Sequence, residues 1–363
     1  MARVTVKDIS TKLNISLGTV SKALSGKDGV NIETRKLVIE TANTMGYKVN
    51  KLAQSLSRNP LLVGVLMPSA WPEYYSFLEI GIKDGFSNFR DYNLYSLFTY
   101  VPSLFSRKEI EKAEEFIEQQ NVNAVIICPA LDPSYKQLVN KLSKRKIVTL
   151  LLGRDIPDTE YLACVRTDSP VAGAMAGEFL DLITPPGGDA VVLIGNKDHL
   201  DHTERVEGFA RSFVRKGHKV KGVYETQDDP ELAHFLAGKV IREQPDLRAI
   251  YVATGNSIAV CRCIEEMGLQ GKISIVATDI YPEIRTYMEK DIIQGVIFQD
   301  QIRQGENAVR VVFDYLSGGI IPSKSILIQP QLIMRSNLVK TCGPYLNPVT
   351  HKTAAYPEKS EKN

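Results

Sequence analysis

The sequence predicts a small all-α helix-turn-helix head joined to an α/β core of two doubly wound parallel-sheet lobes. Three observations predict it: apolar residues at helical spacing before residue 47, apolar runs alternating with amphipathic segments after Pro60, and a restart of that alternation near Asp168. At 363 residues and 44% apolar content, the chain exceeds one small domain and supplies large buried cores.

The first helix is expected to open at Thr5, with Asp8 three residues on in a capping-box spacing and Val6, Ile9 and Leu13 turned inward, and to stop near Asn14. A second helix follows after a tight turn, N-capped by Ser16. Val20, Ala23 and Leu24 share its packing face, while Leu17, Gly18, Ser21, Lys22 and Ser25 share the other. Asn31 caps a third helix carrying Ile32, Arg35, Val38, Ile39, Ala42 and Met45 on one side, and Gly46 stands where a C-terminal cap belongs.

Beyond Pro60 the period changes. LLVGVLM from Leu61 is a short apolar run suited to a buried parallel strand, and a helix is expected after it. LYSLFTY from Leu94, a helix 107–120, AVIICP from Ala124, a helix 133–144 and KIVTLLLG from Lys146 continue the βαβ rhythm. The second series contains a helix 170–183, the Pro185-Pro186-Gly187-Gly188 turn, AVVLIG from Ala190, a helix 203–216 and VKGVYET from Val220. It ends with a helix 230–243, RAIYVAT from Arg248, a helix 257–267, ISIVATD from Ile273 and GVIFQD from Gly295, before a last helix 301–316 returns the chain to the first lobe. Two sheets of similar size follow.

The head VTVKDISTKLNISLGTVSKALSG, with the T-V-S-x-x-L core inside it, and the later GYKVNKLAQSLSRNP resemble the DNA-binding head and hinge of the lactose/galactose repressor family. The resemblance implies a head over 1–46, a hinge helix and linker over 47–60 and a core over 61–342. Lobe 1 then takes about 61–168 and 299–327, and lobe 2 about 169–298 and 328–342, with a disordered tail over 343–363. It also implies a core like the periplasmic sugar-binding proteins, a homodimer on near-palindromic operator DNA, and a second helix in the major groove. Leu17, Gly18 and Lys22 fall on base-reading positions, and Ser16, Thr19, Ser21 and Asn50 near phosphates or groove walls. Thr5, Asn31, Ala53 and Gln54 complete the expected DNA-contacting set, and Leu56 matches the leucine that wedges into the minor groove. The chain departs from the commonest family pattern at Leu17, at Lys22, where arginine is frequent, and at Val49, where proline is.

Charge follows the same division. Residues 1–60 hold ten Lys or Arg against four Asp or Glu, a surplus of six within a chain of net charge +2, so the remainder carries −4. No apolar run precedes the first helix and none reaches membrane-spanning length, which predicts a cytoplasmic protein. Five scattered cysteines and five histidines lack metal-ligand spacing, so neither a metal nor a cofactor nor a disulfide is expected.

In such a core the ligand lies at the carboxyl ends of the strands. The resemblance places Asp279 and Arg205, in R-x-x-G-F, at effector contacts, and Asp168 at an inter-lobe position. A carboxylate and a guanidinium each grip adjacent hydroxyls, so a sugar is the expected effector. Asn256 and Gln299 end further strands, and Trp71, Tyr74, Tyr75 and Phe77 offer aromatic faces to a ring. An Asp at a strand end also serves as an N-cap, which is the plain alternative for Asp279. His199 and Asp201 stand where a purine sensor would align an arginine and a threonine, which weighs against a purine effector; a purine- or sugar-phosphate-responsive regulator is the alternative within the family. A sugar-processing enzyme is the competing class, without support from any G-x-G-x-x-G, P-loop or G-x-S-x-G motif.

Overall fold

A computed structural model describes residues 4–24, 28–47, 59–69, 72–101, 107–130, 132–214 and 217–343. Ser25, Val49, Asn50, Ala53, Gln54, Leu56, Trp71 and the tail from residue 344 lie outside the described residues, and with them the expected hinge helix. The chain divides into two compact units, Met1–Leu61 with Asn88–Tyr95, and the rest.

The head contains three helices, α1 (Val6–Leu13), α2 (Leu17–Leu24) and α3 (Ile32–Thr44). Its sequence fixes their starts through side chains that satisfy orphan backbone donors. Thr5 Oγ1 accepts from the Asp8 amide at 3.3 Å, and the Thr5 amide donates to Asp8 Oδ2 at 2.7 Å, a complete capping box. Ser16 Oγ accepts from the Thr19 amide at 3.0 Å, and Asn31 Oδ1 from the Thr34 amide at 2.7 Å. Asn14 adopts a left-handed φ of 51° that ends α1, and Ser10 Oγ donates to the Ile15 carbonyl at 2.6 Å across the turn. Ile9, Val20, Ala23, Val38 and Ala42 form the core of this unit. Ile32 and Ile39 do not join it: they are 76% and 43% exposed, because Val38 and Ala42 occupy the inward stripe of α3. Leu17, Gly18, Ser21 and Lys22 are exposed on α2, as is the capping Ser16 just before it.

The core's first sheet has the order β11-β5-β4-β3-β1-β2, made of β1 (Leu61–Pro68), β2 (Leu94–Val101), β3 (Ala124–Ile127), β4 (Val148–Leu152), β5 (Ala163–Thr167) and β11 (Ser325–Ile328). The second has the order β12-β10-β9-β8-β6-β7, made of β6 (Asp189–Ile194), β7 (Val220–Glu225), β8 (Leu247–Val252), β9 (Ser274–Thr278), β10 (Ile293–Phe298) and β12 (Gln331–Ile333). The strands β3, β4, β6, β8, β9 and β10 are almost wholly buried, as helices on both faces require. The edge strand β12 is antiparallel to β10. Three of these twelve strands, β5, β11 and β12, are absent from the sequence expectation. They are the points where the chain changes sheet: β5 to β6, β10 to β11, and β11 to β12.

Helices α4 (Pro72–Asn88), α5 (Arg107–Gln119), α6 (Pro133–Lys144) and α12 (Gln301–Gly318) serve the first lobe, and α7 (Ser169–Ile183), α8 (Leu200–Ser212), α9 (Pro230–Glu243), α10 (Ser257–Glu266), α11 (Ile284–Glu289) and α13 (Leu338–Cys342) the second. The pair α7 and α8 is held unusually close. A Cβ on Gly173 would lie 1.9 Å from the Arg205 carbonyl oxygen, and one on Gly208 would lie 2.1 Å from that of Pro170. The approach of these two backbones therefore seats Arg205. Gly173→Val is expected to destabilise the protein by at least about 1–3 kcal/mol in urea unfolding, since backbone rather than a pliable side chain must move. Unchanged stability would remove the close crossing from the account of Arg205.

Candidate functional site

A cavity of about 150 Å³ lies between the lobes, at the carboxyl ends of the strands. Each wall residue arrives there because a strand or a helix start delivers it. Leu152, Gly153 and Arg154 end and follow β4, Thr167 ends β5, and Asp228 and Thr254 follow β7 and β8. Asp279 and Tyr281 follow β9, and Gln299 follows β10. Tyr74 and Tyr75 come from α4, with rings edge to face and centroids 5.2 Å apart. His199, Asp201, His202 and Arg205 come from the start of α8.

One glutamine ties the polar wall together. Gln299 Nε2 donates to Asp279 Oδ1 at 2.8 Å and Oδ2 at 2.9 Å, while its Oε1 accepts from Arg205 Nη2 at 2.6 Å and Thr167 Oγ1 at 3.1 Å. Gln301 Nε2 adds a bond to Asp279 Oδ1 at 2.7 Å, and Arg205 Nη1 donates to the Ala253 carbonyl at 2.9 Å. Gln304 Nε2 reaches both Thr167 Oγ1, at 3.0 Å, and the Gln299 carbonyl, at 2.9 Å. Two of the crossings between lobes, after β5 and after β10, are thus stitched to the same cluster. Asp279 adopts a φ of 68°, a left-handed conformation that Asp tolerates better than most residues and that costs energy here. Burial raises its carboxyl above the usual range, against the opposing pull of Arg205, Gln299 and Gln301.

The aromatic and imidazole groups are held neutral. Burial pushes the Tyr75 hydroxyl up to about 12 and raises that of Tyr74 well above its ordinary value. His199 and His202 stack with centroids 4.8 Å apart. His199 is lowered to about 3, first by burial and then by the charges of Arg154 and Arg205, and His202 is lowered for the same reasons. Neither ring titrates in the physiological range, so effector binding is expected to show no histidine step between about pH 5 and 8. A step near pH 6.5 in calorimetric titrations would contradict that.

Of the expected effector residues, Tyr74, Tyr75, Arg205, Asp279 and Gln299 line the cavity. Asp168 and Asn256 are not on its wall. Asp168 is drawn into helix capping, its Oδ1 accepting from the Val171 amide at 3.3 Å and its Oδ2 from Gln329 at 3.3 Å. Asn256 is buried and donates to Thr226 Oγ1 at 3.0 Å, joining two loops behind the wall. Phe77 packs into the hydrophobic core, and Trp71 lies outside the described residues. The capping alternative for Asp279 is not what the structure adopts, since its carboxylate accepts from two glutamine amides and α11 starts after Glu283. Sequence reasoning passed over Arg154, Asp228 and Tyr281 as wall residues and His199, Asp201 and His202 as a group. The first three stand two or three residues past the ends of β4, β7 and β9, beyond the position directly after the strand that singled out Asp279.

The description "periplasmic binding protein domain" matches residues 63–320, and the chain belongs to that family. Two of its relatives are transcriptional regulators matched over nearly their whole length. The chain is 22% identical over 342 residues to the catabolite control protein A of Priestia megaterium, covering 92% of this chain and 99% of that protein. It is 23% identical over 363 residues to the HTH-type transcriptional regulator RegA of Clostridium saccharobutylicum, again covering 92% of this chain and 99% of that one. A periplasmic ribose ABC transporter protein of Conexibacter woesei shares the core fold at a TM-score of 0.71 and 17% identity, over 78% of this chain and 95% of that one. No helix among the described residues is long and apolar enough to cross a membrane.

Proposed function

We propose that the protein is a sequence-specific DNA-binding transcriptional regulator of the repressor type, whose operator affinity is set by a small sugar-like effector held between the core lobes. The observation that carries this reading is the match to full-length regulators across head and core together, at 92% of the chain. The cavity supports the effector half. Its volume of about 150 Å³ gives room for roughly ten to fifteen water-sized atoms, the scale of one monosaccharide. Its Asp279, Gln299 and Arg205 offer acceptors and donors to ring hydroxyls, and Tyr74 and Tyr75 a flat apolar wall. The protein binds and releases its ligand rather than transforming it.

Two heads of a homodimer bind half-sites of a near-palindrome, α2 entering the major groove with Leu17, Gly18 and Lys22 toward the bases. Thr5, Ser16, Thr19, Ser21 and Asn31 stand toward the backbone, although Thr5, Ser16 and Asn31 also spend their oxygens on helix caps. Effector closing the cleft shifts the lobes and changes the spacing of the heads. A gel shift on the DNA upstream of its own gene, with and without monosaccharides, tests this. Effector-sensitive retardation is expected, and a chain that neither retards that DNA nor binds a sugar refutes the reading. Lys22→Ala is expected to weaken operator binding by about 1–3 kcal/mol and to relax sequence preference at the base it contacts, and a gel shift on single-base variants of the operator with preference unchanged would move Lys22 to the phosphates.

A further inference from the structure

The charged groups on the cavity wall find partners within the protein, with one exception. Asp201 accepts from Arg166 Nη1 at 2.9 Å and Ser169 Oγ at 3.3 Å, Asp228 accepts from Thr254 Oγ1, and Asp279 accepts from Gln299 and Gln301. Arg205 gives its two terminal nitrogens to the Ala253 carbonyl and Gln299. Arg154 has no such arrangement. It lines the cavity from lobe 1, its Nε and Nη1 are buried, and no acceptor or ion-pair partner meets it among the described residues. The neighbouring His199, held neutral, likewise leaves a buried Nδ1 without a partner. Two guanidinium nitrogens withdrawn from water without an acceptor are costly, and a carboxylate with its two coplanar oxygens is the group that a guanidinium's fork of donors fits best.

We propose that the effector is a sugar acid, a monosaccharide whose ring bears a carboxylate, and that Arg154 receives that carboxylate while the Asp279, Gln299 and Arg205 cluster of lobe 2 holds the hydroxyls. The proposal rests on the sugar-responsive reading above and narrows it to one chemical class. It also gives the two walls complementary tasks. Lobe 1 supplies the fixed cation and lobe 2 the hydroxyl partners, so one small molecule ties both lobes. The cavity's room for roughly ten to fifteen water-sized atoms accommodates a six-carbon sugar acid.

The test is calorimetric titration of the full-length protein with galacturonate, glucuronate and mannuronate, each beside its parent hexose and that hexose's 6-phosphate. At least one uronate is expected to bind about tenfold or more tightly than its parent hexose. Arg154→Met is expected to erase that margin, and Arg154→Lys, which keeps the charge without the fork, to retain part of it. Should Arg154→Met not fold, the shrinkage of the margin in Arg154→Lys decides the same point. A hexose that binds as well as its uronate, with neither affected by Arg154 substitution, overturns the proposal and leaves the sugar-responsive reading intact. Binding of the phosphates with the uronates silent overturns it in favour of a larger anion. Failure of all three classes overturns the proposal and the sugar-responsive reading together.

Discussion

A core beginning at Leu61 is expected to lose all specific DNA binding and to keep its effector affinity. The cut falls at the end of the first segment of the head's compact unit, and residues 1–60 contain both the exposed face of α2 and the surplus of six positive charges, leaving a core of net −4. A surface of that sign repels phosphate, so the truncated protein also loses the salt-sensitive, non-specific background. In the whole protein, affinity should fall steeply between about 50 and 200 mM salt, by about 10³-fold or more for six to ten phosphate contacts per dimer. The core retains every described residue of the cavity wall, because none precedes Tyr74. Gel shift and calorimetry on the same preparation decide the matter. Specific operator binding by the truncated core would place the DNA interface outside the head.

Much of this architecture was legible because local chemistry and global packing agree in it. The head's helix starts are written in Thr5, Ser16 and Asn31, each of which satisfies backbone donors that the helix itself leaves open. The central strands announce themselves as apolar runs because both of their faces are covered. The strands that escaped notice lack that cause. Ala163–Thr167 carries Arg166 as its fourth residue, where the guanidinium is compensated by Asp201 and Glu204 of a distant helix. Ser325–Ile328 and Gln331–Ile333 are short edge strands of four and three residues, whose pairing is set by register with β5 and β10 rather than by their composition.

The cavity divides in the same manner. A polar residue after an apolar run marked Asp279 and Gln299, yet the same mark on Asn256 led to a loop tie, and Asp168, placed by the resemblance, caps a helix, because a short polar side chain serves whichever nearby group it meets first. Gly173 and Gly208 show what no single-sequence pattern carries. They read as weak points in helices, and only the paired backbones reveal that their missing side chains let α7 and α8 approach and set Arg205 on the wall.

Asp279→Ala and Arg205→Ala are each expected to lower effector affinity roughly ten- to a hundredfold, since each removes charge-assisted hydrogen bonds worth about 1.5–3 kcal/mol. The two losses should not add. Gln299 bonds both residues, so removing either frees its amide to turn and disturbs the other's geometry, and the double variant is expected to fall short of the sum of the singles. Acidification provides an independent reading. Burial raises the Asp279 carboxyl above its ordinary 3.8, so the carboxylate that accepts hydroxyls is lost on descending through a pH higher than an exposed aspartate requires. If the effector binds the ionised form, wild-type affinity should fall in that window, and Asp279→Ala, already weakened, should show no corresponding step. Operator affinity without effector should stay near wild type in both variants, because the described head residues are Val4–Leu24 and Asp28–Tyr47 and both substitutions lie in the core. Normal effector affinity in Asp279→Ala would reduce that residue to a member of the internal hydrogen-bond cluster, whereas loss of affinity with retained thermal stability would establish it as a contact.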